Sequence, residues 1–191
     1  EMIRDNALWI GGLLVETEGG RGVNPYQPAG LWKAVAYPSS STANFVRDDG
    51  DALYRRSLYT FFKRTSPPPG MTLLDAPNRE ACMVKRERTN TPLQALHLMN
   101  DVQYVEAARG FAEWITTQGT GPIEHQVEKA MIRAVARKPD STETQWLVTQ
   151  WQDHHKHFQA HPEAVSYTHL RPHETKAKVG SRLLLEKKNG G

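Results

Sequence analysis

Apolar residues recur at helical spacing in several stretches of the chain, and these stretches predict most of its secondary structure. The first covers residues 2–16 and ends at a cluster of glycines; its predicted apolar face is Ile3, Ala7, Ile10 and Leu14. Four more predicted helices follow from Pro92 onward, with breaks at Asn100-Asp101, Thr120-Gly121-Pro122 and Lys138-Pro139-Asp140. Because short connectors imply antiparallel neighbours, this half of the chain predicts an antiparallel helical bundle.

The stretch before Pro92 is richer in turn-forming residues, so we expect a loop-rich N-terminal half. Residues 57–63 carry several aromatic side chains and predict a short strand that pairs with residues 82–87. The apolar positions between Leu53 and Phe62 also fit helical spacing, and periodicity does not decide over so short a run. The predicted fold class is therefore mainly α, with a loop-rich N-terminal half, a short strand pair and a C-terminal helical bundle.

The run from Lys85 to Asp101 joins a positively charged segment to a helix start. Within it, Thr91-Pro92-Leu93-Gln94 fits a capping box, in which each of the two polar side chains bonds the other residue's backbone N–H. Pro92 suits the first helical position, where its missing N–H costs nothing. The run predicts a helix that begins at Pro92.

The same run, together with several upstream motifs in order, resembles a known family. The upstream motifs are Met2-Ile3-Arg4-Asp5-Asn6-Ala7-Leu8, Pro25-Tyr26-Gln27-Pro28-Ala29-Gly30-Leu31-Trp32, the run from Leu53 to Thr65, Pro67-Pro68-Pro69 and Asp75-Ala76-Pro77. In this order they are similar to the C-terminal, planctomycete-specific domain of unknown function in large exported, cytochrome-c-associated planctomycete proteins. The likeness covers residues 1–158. The family has no settled activity, so no catalytic residue carries over.

The resemblance implies a location and a set of partners. In that family the domain ends a long chain that begins with a signal peptide and a cytochrome-c-like domain, so it implies export to the periplasm or cell envelope and contact with other domains of the parent protein. The chain begins at Glu1, and we expect it to be a fragment. Cys82 is the single cysteine, and no Cys-x-x-Cys-His motif is present, so we expect no cofactor in this chain and any haem c in a parent domain.

Residues 166–191 depart abruptly from the family pattern and resemble a translated sequencing adapter of the kind found in metagenomic assemblies. We therefore expect a single domain over residues 1–165, followed by a non-biological tail. The tail carries six Lys and Arg residues and two Asp and Glu residues, so its removal changes the net charge from +3 to −1. Without a global positive field, and without a long apolar run, we expect neither nucleic-acid binding nor a membrane span.

Positive charge is nevertheless concentrated between residues 53 and 92, where eight Lys and Arg residues outnumber three Asp and Glu residues. Arginine clusters bind sulfate, phosphate and carboxylate groups bidentately, which suits an anionic polysaccharide. The same arginines can instead pair with nearby carboxylates and brace a loop-rich core, which is the interpretation that we favour. The candidate binding residues are Arg55, Arg56, Arg64, Arg79, Arg86, Arg88 and Asn90.

For the remaining candidate residues, a structural role is favoured over a catalytic or metal-binding role. Asp75, Glu80 and Glu87 offer carboxylates for glycoside hydrolysis, but flanking arginines lower carboxyl pKa values and so favour salt bridges over a general acid. Four histidines between residues 154 and 161 resemble a metal cluster, yet Pro162 weakens the last helical turn, and we expect a solvated helix end with His154 inward.

The sequence therefore favours a non-catalytic scaffold or binding module, with no metal site. The alternative is an enzyme that acts on sulfated polysaccharide or assists cytochrome-linked redox chemistry. We expect Cys82 to be a small buried residue rather than a nucleophile.

Overall fold

The structure is a computed structural model, and it describes residues 1–37, 39–119 and 121–162. Along these residues run seven α-helices: α1 Met2–Ile10, α2 Leu31–Val35, α3 Pro69–Leu73, α4 Pro92–Asn100, α5 Val102–Gln118, α6 Ile123–Val135 and α7 Ser141–Ala160. Two short 3-10 helices cover Gly50–Tyr54 and Ser57–Tyr59. The prediction of a mainly α fold with a loop-rich N-terminal half is confirmed. The domain end predicted near residue 165, and the tail beyond it, lie outside the described residues.

The chain divides into two compact units, Glu1–Ala108 and Arg109–Gly191, and the boundary falls within α5. The first unit contains α1 to α4 and the long connecting loops. Its buried apolar side chains are few; among the described residues they are Leu8, Val23, Trp32, Leu53, Met71 and Ala107. Almost as many polar residues are buried beside them: Arg4, Arg55, Ser57, Thr60 and Gln94. Polar contacts therefore stabilise this unit together with its apolar core.

In helix α1, polar contacts decide which face is buried. The buried face is not the apolar face predicted from periodicity. The buried residues are Arg4 and Leu8, which lie four positions apart on one side of the helix. Ile3, on the predicted face, is 47% exposed, and the helix ends before Leu14. At the end of α1 the backbone approaches α5 closely, since a Cβ on Gly11 would lie 2.6 Å from the Ala107 carbonyl oxygen.

The Arg4 guanidinium explains this orientation. It donates to the carbonyl oxygens of Leu53 and Arg55, each at 2.8 Å, to the Ser57 hydroxyl at 3.2 Å, and to the side chain of Gln103 on α5. The neighbouring Asp5 carboxylate accepts from the backbone N–H of Ser57 at 2.8 Å. Burial lowers the pKa of Arg4, and the Asp5 carboxylate opposes that effect. One buried cation thus joins α1, the 53–57 segment and α5.

The predicted strand pair between residues 57–63 and 82–87 is wrong. Ser57–Tyr59 is a 3-10 helix, and the neighbouring residues form isolated parallel bridges instead, Val15 with Arg55 and Val23 with Thr60. Val23 donates to the Tyr59 carbonyl and accepts from the Phe61 N–H, both at 2.8 Å. The backbone groups that a strand partner needs are therefore occupied by the 15–23 loop and by Arg4.

The second unit is helical, as predicted. Helices α6 and α7 pack together and are joined by only five residues, 136–140, so they run antiparallel. Asp140 and Glu143 form a capping box at the start of α7, and Arg137 donates to the same Glu143 carboxylate at 2.7 Å. Contacts with the end of α5 complete the unit: the Arg133 guanidinium lies 4.2 Å from the centroid of the Trp114 ring, and Lys129 donates to the Gln118 carbonyl at 2.7 Å.

Replacement of Arg4 tests whether the buried guanidinium holds the first unit together. We expect Arg4→Met to lower the free energy of unfolding by about 3 to 5 kcal/mol, because it leaves the Leu53 and Arg55 carbonyls without their donor and removes the cation paired with Asp5. Arg4→Lys keeps the charge but not the planar fork, so we expect it to recover only part of that loss. Urea unfolding followed by tryptophan fluorescence measures both.

The matched control is Arg21→Met, because the Arg21 side chain is 77% exposed and forms a surface ion pair with Asp48. We expect this variant to change the unfolding free energy by less than about 1 kcal/mol. If Arg4→Met were as mild as Arg21→Met, the assigned role of Arg4 would be wrong.

Candidate binding site

The structure divides the seven predicted binding residues into three groups, and the first group is internal. Arg55 is buried, and its guanidinium donates to the backbone carbonyls of Thr17, Gly19 and Arg21. It also lies 4.0 Å from the centroid of the Tyr59 ring. Because both terminal nitrogens of its guanidinium donate to the 17–21 loop, Arg55 braces the fold from inside.

The second group consists of paired, partly exposed arginines. Arg79 and Arg86 both reach the Glu1 carboxylate, at 2.9 and 3.3 Å, so the structure brings these two residues together. Burial raises the pKa of Glu1, but the Arg79 hydrogen bond, the adjacent amino group and the charges of both arginines outweigh it, and the pKa is lowered. Arg64 lies 3.5 Å from Glu80 in a separate, more exposed pair.

The third group is exposed. Among the residues that the structure describes, no hydrogen bond or ion pair engages the side chain of Arg56, Arg88 or Asn90. Residues 78–93 are all exposed, so Arg88 and Asn90 belong to a continuous accessible stretch of chain. We call residues 85–90 the basic segment.

The basic segment is held at one end by a polar hub. The Asp75 carboxylate accepts from the Thr89 N–H at 2.7 Å and from the Thr89 hydroxyl at 2.9 Å. The Gln94 side chain donates to the Thr89 hydroxyl at 2.8 Å and to the Leu73 carbonyl at 2.9 Å. Gln94 also completes the capping box with Thr91, which confirms the prediction that a helix begins at Pro92. Arg88 and Asn90 are therefore presented on either side of an anchored residue.

Helix α4 continues from this hub with an unusual orientation, because its polar side is inward. Gln94 is only 8% exposed, and the half-buried His97 ring packs edge-on against Tyr104, with 5.5 Å between ring centroids. The apolar side faces outward instead: Leu93, Leu96 and Met99 are 57%, 58% and 76% exposed. We call these three side chains the outer face of α4. It begins three residues after the basic segment.

Two participants in this arrangement escape prediction from the sequence. Glu1 joins Arg79 to Arg86, and nothing in its sequence context marks it as their shared partner. Arg4 orders the interior, and its spacing from Leu8 is the available signal, although an arginine on a buried face is not expected from hydropathy.

The remaining candidates from the sequence do not assemble into a site. Within the described part of the chain, no three or more His, Cys, Asp or Glu side chains are grouped to hold a metal ion. The His161 N–H donates to the His157 carbonyl at 3.0 Å, so the last turn of α7 holds despite Pro162, and His154 is exposed rather than inward. Cys82 is exposed as well; the expectation of a buried cysteine is wrong because the whole stretch around it is accessible. No described helix is both long and apolar enough to cross a membrane.

These features define a mainly α, loop-rich domain with internal arginine braces and an exposed basic segment. The chain belongs to the family described as PSD1, protein of unknown function (DUF1553), whose model matches residues 1–151. Searches of curated proteins and of solved structures found no significant match.

Acidification tests whether the Asp75 carboxylate stabilises the polar hub. The backbone N–H and the hydroxyl of Thr89 lower the pKa of Asp75, so its stabilisation is complete above the unfolded pKa of about 3.9 and is lost as the pH falls through the lower folded value. We expect wild type to be more stable than Asp75→Asn at pH 7, and the difference to narrow in acid below about pH 4. Urea unfolding of both proteins across this pH range measures it.

Asparagine is the appropriate replacement because the Asp75 backbone has a φ of 58°, a left-handed conformation that asparagine tolerates. A difference between the two proteins that stayed constant on acidification would show that the charge of Asp75 has no part in the hub.

Proposed function

We propose that this protein is a non-catalytic binding module at the C-terminus of a large exported planctomycete protein that carries a cytochrome-c-like domain elsewhere. Membership of a family of unknown function supports the domain assignment, and the resemblance of the ordered motifs supports the parent protein and its export. The observation that carries the proposal is that the arginines differ in their surroundings: Arg55 donates inside the fold, while Arg88 is exposed and has no partner among the described residues.

The carboxylates support binding rather than catalysis. A glycoside hydrolase needs a general acid with a raised pKa near a second carboxylate. Hydrogen bonds hold the pKa of Asp75 below its usual value, and Glu80 pairs with Arg64. Two of the three carboxylates that might serve an enzyme are thus engaged in holding loops.

The ligand chemistry follows from the basic segment. Lys85, Arg86 and Arg88 supply three cationic groups against the single carboxylate of Glu87, and all four side chains are exposed. Planar guanidinium groups form paired hydrogen bonds with carboxylates and sulfates. We therefore propose that the segment binds an acidic partner, which includes other domains of the parent protein and sulfated polysaccharide.

Dextran sulfate, with neutral dextran as the matched polymer, tests this anion recognition. We expect the chain to bind dextran sulfate and not dextran, and the affinity to fall with salt, since exposed charges are screened. Arg88→Ala should weaken binding about two- to fivefold, the effect of losing one solvent-exposed ion pair. Arg86→Ala should weaken it less, because Arg86 already bonds Glu1. Titration calorimetry measures the dissociation constants.

Arg21→Ala is the control, because it removes the same charge from a different loop, where Arg21 pairs with Asp48. An equal loss of affinity in Arg21→Ala and Arg88→Ala would mean that only the overall charge matters, and the proposed role of the basic segment would fail.

A further inference from the structure

The outer face of α4 begins three residues after the basic segment, so exposed cationic and exposed apolar side chains follow one another along this stretch of the surface. We infer that this surface docks an acidic amphipathic helix from a protein partner. The inference rests on the proposed function, since it uses the same basic segment, and it adds the apolar contacts that the ligand must make.

The outward orientation of the apolar side chains is fixed by the other side of the helix. Gln94 is bonded to Leu73 and Thr89 and closes the capping box with Thr91. A rotation of α4 that buried Leu96 would break these bonds and leave buried carbonyl and amide groups without partners, which opposes the rotation. The fold therefore maintains an exposed apolar face instead of burying it.

The shape of the outer face suits a helix. Leu93, Leu96 and Met99 recur every three residues and form a continuous ridge along α4. A helix of nine residues is about 14 Å long, so the ridge matches two to three turns of a partner helix. Isolated exposed apolar residues are common, but a row of three on a helix whose polar side is buried is typical of an interaction surface.

The charge next to the ridge selects an acidic partner. Arg88 is unpaired among the described residues, and Lys85, three residues earlier in the chain, is exposed as well. The nearby Asp75 carboxylate accepts hydrogen bonds from Thr89 and Gln94, and within the described residues it forms no ion pair with Lys85 or Arg88. A polysaccharide would use the cationic groups alone and leave the ridge exposed to water. A helix with an apolar stripe and flanking glutamates would cover both.

The test uses the full chain and a labelled helical peptide of about 20 residues, long enough to be helical in water. The peptide carries leucines at i, i+3 and i+7 with flanking glutamates. One matched peptide has lysines in place of the glutamates, and another has alanines in place of the leucines. Fluorescence anisotropy at physiological salt should show binding of the acidic amphipathic peptide and at least about tenfold weaker binding of both matched peptides.

Variants of the chain separate the two contributions. We expect Leu96→Ala with Met99→Ala to weaken peptide binding about tenfold or more and to leave dextran sulfate binding unchanged. Arg88→Ala should weaken the binding of both the peptide and dextran sulfate. Leu58→Ala, at a residue that is 68% exposed elsewhere in the same unit, should weaken neither. The unfolding midpoint should be unchanged in all of these variants, because each altered side chain is exposed.

The other outcomes distinguish failure of helix docking from failure of the proposed function. If dextran sulfate binds and depends on Arg88, but the peptide does not bind or ignores the Leu96 and Met99 substitutions, helix docking is overturned and the proposed function stands. If Arg88→Ala changes neither ligand, both fail. Vesicles of phosphatidylglycerol and phosphatidylcholine, and sedimentation of the chain alone, complete the test. Ridge-dependent binding to vesicles or self-association, without peptide binding, would overturn the inference in favour of a lipid surface or a second copy.

Discussion

The buried guanidinium of Arg4 is the interaction on which the first unit depends. Long loops carry backbone carbonyls that no helix or sheet satisfies, and an unsatisfied buried carbonyl is costly. Arg4 supplies donors to the Leu53 and Arg55 carbonyls at once, and also reaches α5 through Gln103. Arg55 repeats the device at the 17–21 loop. Side-chain donors thus take the place of the sheet that the loop-rich half would otherwise need.

This use of arginine changes how the positive charge of the chain should be interpreted. A charge count treats all basic residues between residues 53 and 92 alike. In the structure they differ, because some are buried, some are paired and some are exposed. Arg55 satisfies the backbone, Arg79 and Arg86 share Glu1, and Arg88 remains exposed. Only the last kind of residue is fully available to a partner. The availability of Arg88 therefore depends on which arginines the fold pairs, and not on the number of basic residues alone.

Sequence reasoning succeeded where the interactions are local. The capping box at Thr91 and the helices from Pro92 onward depend on residues within one or two turns, and both are present as predicted. It failed where contacts join distant segments: the strand pair was wrong because residues 15 and 23 pair with the 55–61 backbone. The face of α1 was wrong because Arg4, rather than Ile3, finds its partners inside. Periodicity shows which residues share a face of a helix. It does not show which face is buried when polar side chains form hydrogen bonds in the interior.

The need of buried polar groups for hydrogen-bond partners also explains why the candidate site combines charge with apolar surface. Gln94 is drawn inward by the Leu73 carbonyl and by the Thr89 hydroxyl. Since Thr89 lies within the basic segment, these bonds also hold the loop that carries Arg88. One polar hub thus holds the backbone next to Arg88 and turns the apolar side of α4 outward. A partner that contacts both would dock on a surface whose two parts are held together before it arrives, which reduces the ordering cost of binding.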